Sequence, residues 1–193
     1  MKHIFYHLTA VMVVVVWGMT FISTKVLIVH GLSPQEIFLF RFLLAYAAVC
    51  PISFHRFFAR NLKDELYLVG GGVLGGSLFF FLQNIALGLT QASNVSFIIC
   101  MAPLLTAVLT VLSVRTEKVS RGFIHGSIVA LLGVGLLIFN GSFILRISPL
   151  GDLLTLLASL SWAFYSLVIR SLTRKYSPAF ITRKIFFYGI ITI

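Results

Sequence analysis

Six stretches of the chain run for 18 to 22 residues with scarcely a charge, at 8–29, 37–54, 66–87, 93–114, 122–139 and 150–169. About 20 apolar residues coiled as a helix cover the roughly 30 Å hydrocarbon layer of a bilayer. Lipid offers the backbone no hydrogen-bonding partners, so each stretch must satisfy its own amides as an α-helix. A seventh apolar run opens near Phe180 and reaches Ile193 after 14 residues, too few to cross comfortably. The expected fold class is an all-α, polytopic membrane protein with about six complete transmembrane helices and a truncated seventh.

Composition excludes the alternatives. Of 193 residues, 59% are hydrophobic and 10% charged, against about 25% charged in an ordinary soluble domain. Nineteen Phe exclude a disordered chain. The first apolar run follows Lys2, but it is too long for a signal peptide and lacks an Ala-x-Ala-like end. Cys50 and Cys100 lie inside apolar runs without CxxC or Cys/His spacing, and read as small buried hydrophobes. No metal or cofactor site is read.

The net charge of +10 would suggest nucleic acid in a soluble protein. Here the cations sit between apolar runs. Lys2, Arg56, Arg60, Lys63, Arg115, Lys118, Arg121, Arg170, Arg174, Lys175, Arg183 and Lys184 fall at one membrane face, and only Lys25, Arg41 and Arg146 fall toward the other. Lys and Arg are retained on the cytoplasmic side. The expectation is a multi-pass protein of the cytoplasmic (inner) membrane with a cytoplasmic N-terminus, a partner of the bilayer and not of nucleic acid.

Local signals mark helix starts and packing. Ser33-Pro34-Gln35-Glu36 has the N-cap Ser, first-turn Pro and third-position Glu of a capping box. Ser148-Pro149 and Ser177-Pro178 repeat its first half. Gly71/Gly75, Gly72/Gly76 and Gly122/Gly126/Ala130 are small residues four apart, which let helix backbones approach in lipid.

An internal repeat carries most of the functional reading. Trp17-Gly18 is followed at eight residues by Lys25 and then by Ser33-Pro34. Trp162-Ala163 is followed at eight residues by Arg170 and then by Ser177-Pro178. The second copy begins after five helices, so the two copies are inverted in the membrane. Inverted repeats are a signature of secondary transporters, with the solute held near the midplane between them.

These residues resemble a known family. Trp17-Gly18-Met19-Thr20-Phe21 through Lys25 is similar to the opening of EamA-type members of the drug/metabolite transporter superfamily. So are Arg41 in helix two, Ala86-Leu87 closing helix three, Pro103-Leu104 inside helix four, and Glu117 before a Gly-rich fifth helix. The resemblance implies ten helices as two inverted five-helix repeats, and an exporter of a metabolite, amino acid or drug. On that pattern residues 1–143 form the first repeat and 144–193 the start of the second, so the chain is expected to be truncated relative to the family.

The candidate site follows from depth and chemistry. Trp17, Phe21 and Lys25 form one helical stripe, being four apart. Arg41 lies about 10 Å into helix two from the same side. Gln83, Asn84 and Asn94 flank the turn between helices three and four. Cations and amides at similar depth suit an anionic or zwitterionic small solute, with Trp17, Phe21 and Trp162 lining the apolar side. No carboxylate lies mid-membrane to hold a cationic drug. Lys25 has a competing role in snorkelling, and the amides one in helix-to-helix bonds. Pro103 removes a backbone hydrogen bond where a gate would bend.

Three other functions compete: a membrane-embedded enzyme, a seven-helix sensor and an inactive truncated fragment. Clustered catalytic side chains are missing from the sequence, so no enzyme is expected. Nor is there a phosphate-cradling Gly-x-x-x-x-Gly-Lys motif for ATP-driven transport. Homodimerisation is one way to complete the path, although no residue marks it.

Overall fold

A computed structural model describes residues 2–53, 57–113, 120–139 and 148–193. Arg56, Arg115, Glu117, Lys118 and Arg146 lie outside them. The described residues form helices joined by short turns, with no strand among them.

The chain opens with α1 (Lys2–Val29) and α2 (Pro34–Val49), the latter extended by a 3-10 turn at Cys50–Ser53. The third span is α3 (Leu62–Gly71), a π-helical segment (Gly72–Leu78) and α4 (Phe79–Leu89). The fourth is α5 (Ala92–Ile99) and α6 (Ala102–Ser113). Then come α7 (Arg121–Phe139), α8 (Pro149–Arg170) and α9 (Pro178–Ile191). Five segments are long and apolar enough to cross a membrane: α1, α2, the α3–α4 rod, the α5–α6 pair and α8. The protein is an all-α, multi-pass membrane protein.

Helix starts obey the local chemistry. The Ser33 hydroxyl accepts from the Glu36 amide at 3.3 Å while Ser33 N donates to Glu36 Oε2 at 2.8 Å, closing a full capping box. Ser177 accepts from the Phe180 amide at 3.3 Å. Ser148 makes no such bond; its own amide donates to Asp152 Oδ2 at 3.2 Å, which suits a carboxylate at the positive end of α8.

The glycines divide. A Cβ at Gly71 would collide with Ile185 and Ile169, one at Gly72 with Tyr188, and one at Gly75 with the Tyr165 ring. Gly76 lies against Gly189 of α9. This close approach accompanies the π-helical winding of 72–78, a form rare outside functional or strained places. A Cβ at Gly122 or Gly126 meets nothing within 4 Å, so the close packing expected there is not seen among the described residues. The helix that carries it, α7, packs mainly on α5.

Helix four is broken. α5 ends at Ile99, Cys100 and Met101 form a turn, and Pro103 occupies the first turn of α6. The missing proline amide costs little there, since first-turn amides lack intrahelical partners anyway. Cys100 is exposed and Cys50 only partly buried, so neither is the buried hydrophobe that the sequence suggested: the break turns Cys100 outward.

The helix α8 is central, packing on the α3–α4 rod and on both halves of helix four. Two of its serines serve the irregular segments. Ser159 donates to Ile98 O at 3.3 Å beside the helix break, and Ser161 donates to Leu74 O at 2.7 Å in the π-helix. Both carbonyls lie where regular α-winding fails, and each gains a hydroxyl donor from α8; Ile98 O also accepts from the Met101 amide at 3.0 Å.

Candidate functional site

Two ends of the bundle can be told apart by charge. The basic end carries Arg60, Lys175 and the N-terminus of α3; the opposite end carries Lys25, Thr90 and Asp152. Thr90 joins two helices there. Its carbonyl accepts from Lys25 Nζ at 2.9 Å, and its hydroxyl donates to Asp152 Oδ1 at 3.4 Å. The last turns of α1 and the first turn of α8 therefore meet at one residue, and the two helices run in opposite directions.

Along their length the paired tryptophans meet. The rings of Trp17 and Trp162 are 6.0 Å apart, with Phe21 6.2 Å from Trp17 and Phe79 4.8 Å from Trp162. Phe21 is buried with Phe79, Leu87, Val95 and Ala158 in one apolar cluster. The expected stripe of Trp17, Phe21 and Lys25 faces α4.

The polar candidates separate into two groups. In the first, Lys25 Nζ donates to the carbonyls of Leu87 and Thr90, which close α4; a cation there satisfies orphan carbonyls and the negative helix end. Asn94 Nδ2 donates to Thr90 Oγ1 at 3.4 Å. In this conformation Lys25 and Asn94 hold the opposite end together.

The second group lies between α1, α2 and α4. Arg41 Nη1 donates to Thr24 Oγ1 at 3.2 Å, and its guanidinium lies 5.5 Å from the centre of the Phe80 ring. No carboxylate pairs with it among the described residues. Asn84 is 0% exposed and donates Nδ2 to Pro34 O at 3.2 Å. Its Oδ1, together with both amide atoms of Gln83, which is 1% exposed, has no hydrogen-bond partner among the described residues. A buried polar atom left so costs about 1–3 kcal/mol. Arg41 on α2 and these three atoms on α4, which packs against it, form a polar region left unsaturated among the described residues.

The sequence missed a second set at the basic end. Asp64 is 2% exposed and accepts from Lys175 Nζ at 2.8 Å and Tyr176 Oη at 2.9 Å. Glu65 accepts from Lys184, Tyr188 and the Ala59 amide. Arg183 donates to Ser53 O. Hydrogen bonding to Asp64 holds the Lys175 ammonium above the ordinary lysine range. Lys184 and Arg183, each 2% exposed, are thus packed inside the bundle at the basic end. Charge counting placed them with the loops because their carboxylate and carbonyl partners lie more than 100 residues away.

Comparison with known proteins fits this architecture. The model of the EamA-like transporter family matches residues 4–139. An uncharacterized transporter of Bacillus subtilis, YcxC, is 26% identical over 174 residues, covering 88% of this chain and 55% of that protein. An uncharacterized transporter of Archaeoglobus fulgidus is 27% identical over 179 residues, covering 92% of this chain and 62% of its own length. The chain thus spans somewhat more than half of the curated relatives it matches. No solved structure matches it. With the family model matching most of its length, the chain belongs to the EamA-like transporter family.

Proposed function

We propose that this transporter exports a small anionic or zwitterionic solute, an amino-acid-like metabolite for example, across the cytoplasmic membrane by alternating access. In this reading residues 1–143 are the first five-helix repeat, 144–193 open its inverted partner, and the N-terminus is cytoplasmic. The antiparallel course of α1 and α8, with Trp17 and Trp162 in contact, supports the inversion.

The observation that carries the solute class is the unsaturated polar region. Among the described residues Arg41 has no carboxylate beside it, and Gln83 and Asn84 offer a free donor and free acceptors in a buried setting. A guanidinium recognises a carboxylate through paired N–H donors, and amides with both polarities complement an ammonium or hydroxyl. Trp17, Phe21 and Trp162 supply the apolar wall. Lys25 and Asn94 keep the opposite end closed in this conformation, and join the solute path when that end opens. Pro103, beside the break at Cys100–Met101, is the hinge of that motion.

Inside-out vesicles from cells carrying the full-length protein provide the test, with radiolabelled glutamate, alanine and malate, and tetraphenylphosphonium as the cationic control. The expected result is accumulation of at least one carboxylate-bearing solute, lost in Arg41→Gln at normal protein levels. Undiminished accumulation in Arg41→Gln, or movement of the cation alone, overturns the reading.

A further inference from the structure

At the basic end, where α2 gives way to the 3-10 turn and α9 begins, lies a pocket of about 370 Å³. Two cations line it, Arg60 and Lys175, with Tyr176 and Ser177 between the helices and Ile52 and Phe180 as its apolar part. It lies far along the α3–α4 rod from Gln83 and Asn84, and none of its residues belongs to the polar region assigned to the solute.

The pocket is built on buried groups. Tyr176, 8% exposed, accepts from the Arg60 amide at 2.8 Å and donates to Asp64 Oδ2 at 2.9 Å, which fixes the backbone of Arg60 over the start of α9. Asp64, the carboxylate beside the pocket, is occupied by Tyr176 and by Lys175. Asp64 therefore balances Lys175, while the guanidinium of Arg60 makes no ion pair among the described residues. Among the described residues, the charge of Arg60 is thus left without a counter-charge.

Its donors converge in kind. A guanidinium presents paired N–H groups that match two oxygens of a phosphate, whereas a lysine ammonium retains two donors after serving Asp64. Ser177 caps a helix of 14 residues, whose N-terminus adds favourable potential for an anion. Ile52 and Phe180 add an apolar side.

We propose that this pocket is a binding site for a phosphate group, carried either by an anionic lipid headgroup or by a free phosphate. Both sources share the chemistry that Arg60 and Lys175 recognise. A lipid would in addition lay its chain against Ile52 and Phe180.

Thermal unfolding of the full-length protein in a neutral detergent tests the site and separates the sources. The probes are short-chain phosphatidylglycerol, short-chain phosphatidylcholine and inorganic phosphate. Arg60→Gln removes the unpaired cation from an exposed side chain and spares the Asp64–Lys175 pair; Lys63→Gln removes an exposed cation outside the pocket. Phosphatidylglycerol is expected to raise the midpoint of the native protein and of Lys63→Gln, with apparent affinity about fivefold weaker in Arg60→Gln. The same pattern with inorganic phosphate identifies the free anion as sufficient; its absence with phosphate identifies the lipid. No shift with either probe, equal loss in both variants, or an equal response to phosphatidylcholine overturns the proposal.

Discussion

The ring centroids of Trp17 and Trp162 are 6.0 Å apart, with planes inclined by 32°, although 145 residues separate them in sequence. They occupy matching places in two copies of one sequence pattern. Their helices run in opposite directions, since the end of α1 and the start of α8 both reach Thr90. The two tryptophans of that sequence pattern therefore face each other across an antiparallel pair of helices.

Contact between these rings has a measurable consequence. An aromatic pair contributes about 0.5–1.5 kcal/mol beyond burial. Trp17→Leu and Trp162→Leu should each lower the unfolding midpoint, and the double variant should lose less than their sum by that amount. Strict additivity in a double-mutant cycle would show that the rings do not interact.

The two glycine stripes should respond oppositely. Gly75→Ala drives a methyl group into the Tyr165 ring, so overpacking of about 1–3 kcal/mol is expected, relieved in part when Tyr165→Leu is added. Gly126→Ala meets open space and should be neutral or stabilising by up to about 1 kcal/mol. Chemical unfolding in detergent measures both; equal losses would contradict the packing.

The buried pair at the basic end is sensitive to removal of one partner. Glu65→Gln leaves Lys184, 2% exposed, without its counter-charge, and about 3–5 kcal/mol of destabilisation is expected. Adding Lys184→Met removes the stranded cation and should recover much of the loss. Thermal unfolding of the single and double variants decides: a double variant worse than Glu65→Gln would exclude the pairing.

Lys25 and Arg41 should part company. Lys25 closes α4 through two carbonyls, so Lys25→Gln should lower stability by about 1–3 kcal/mol. Arg41 spends one bond on Thr24, so Arg41→Gln should leave the midpoint nearly unchanged while transport is lost. Comparing unfolding midpoints with vesicle uptake tests the split, and a larger stability loss in Arg41→Gln would reverse the assignment.

Ser159 and Ser161 offer a check on the irregular helices. Ser→Ala at either removes one bond to a carbonyl at the break or in the π-segment, worth about 1 kcal/mol. The local effect should appear as faster amide exchange at 98–103 for Ser159→Ala and at 72–78 for Ser161→Ala. Exchange that rises equally in both segments with either variant would argue against such local roles.

Hydropathy and charge alone determined the spans, because the cost of an unpaired amide in lipid permits only helices of membrane length. Ser33 and Ser177 wrote their helix caps in neighbouring residues, and the matched spacing after Trp17 and Trp162 is legible in the sequence. What the sequence left undecided depends on partners far along the chain. Lys25 read as a solute ligand, yet whether its ammonium meets carbonyls or a solute depends on where α4 ends in space. Gly71 to Gly76 and Gly122 to Gly126 look alike as text, and only the first run has α8 and α9 against it. Lys184 looks solvent-facing until Glu65 is placed beside it. Local patterning sets which residues are helical and which leave water; tertiary packing alone sets which polar groups find one another and which, like Gln83 among the described residues, do not.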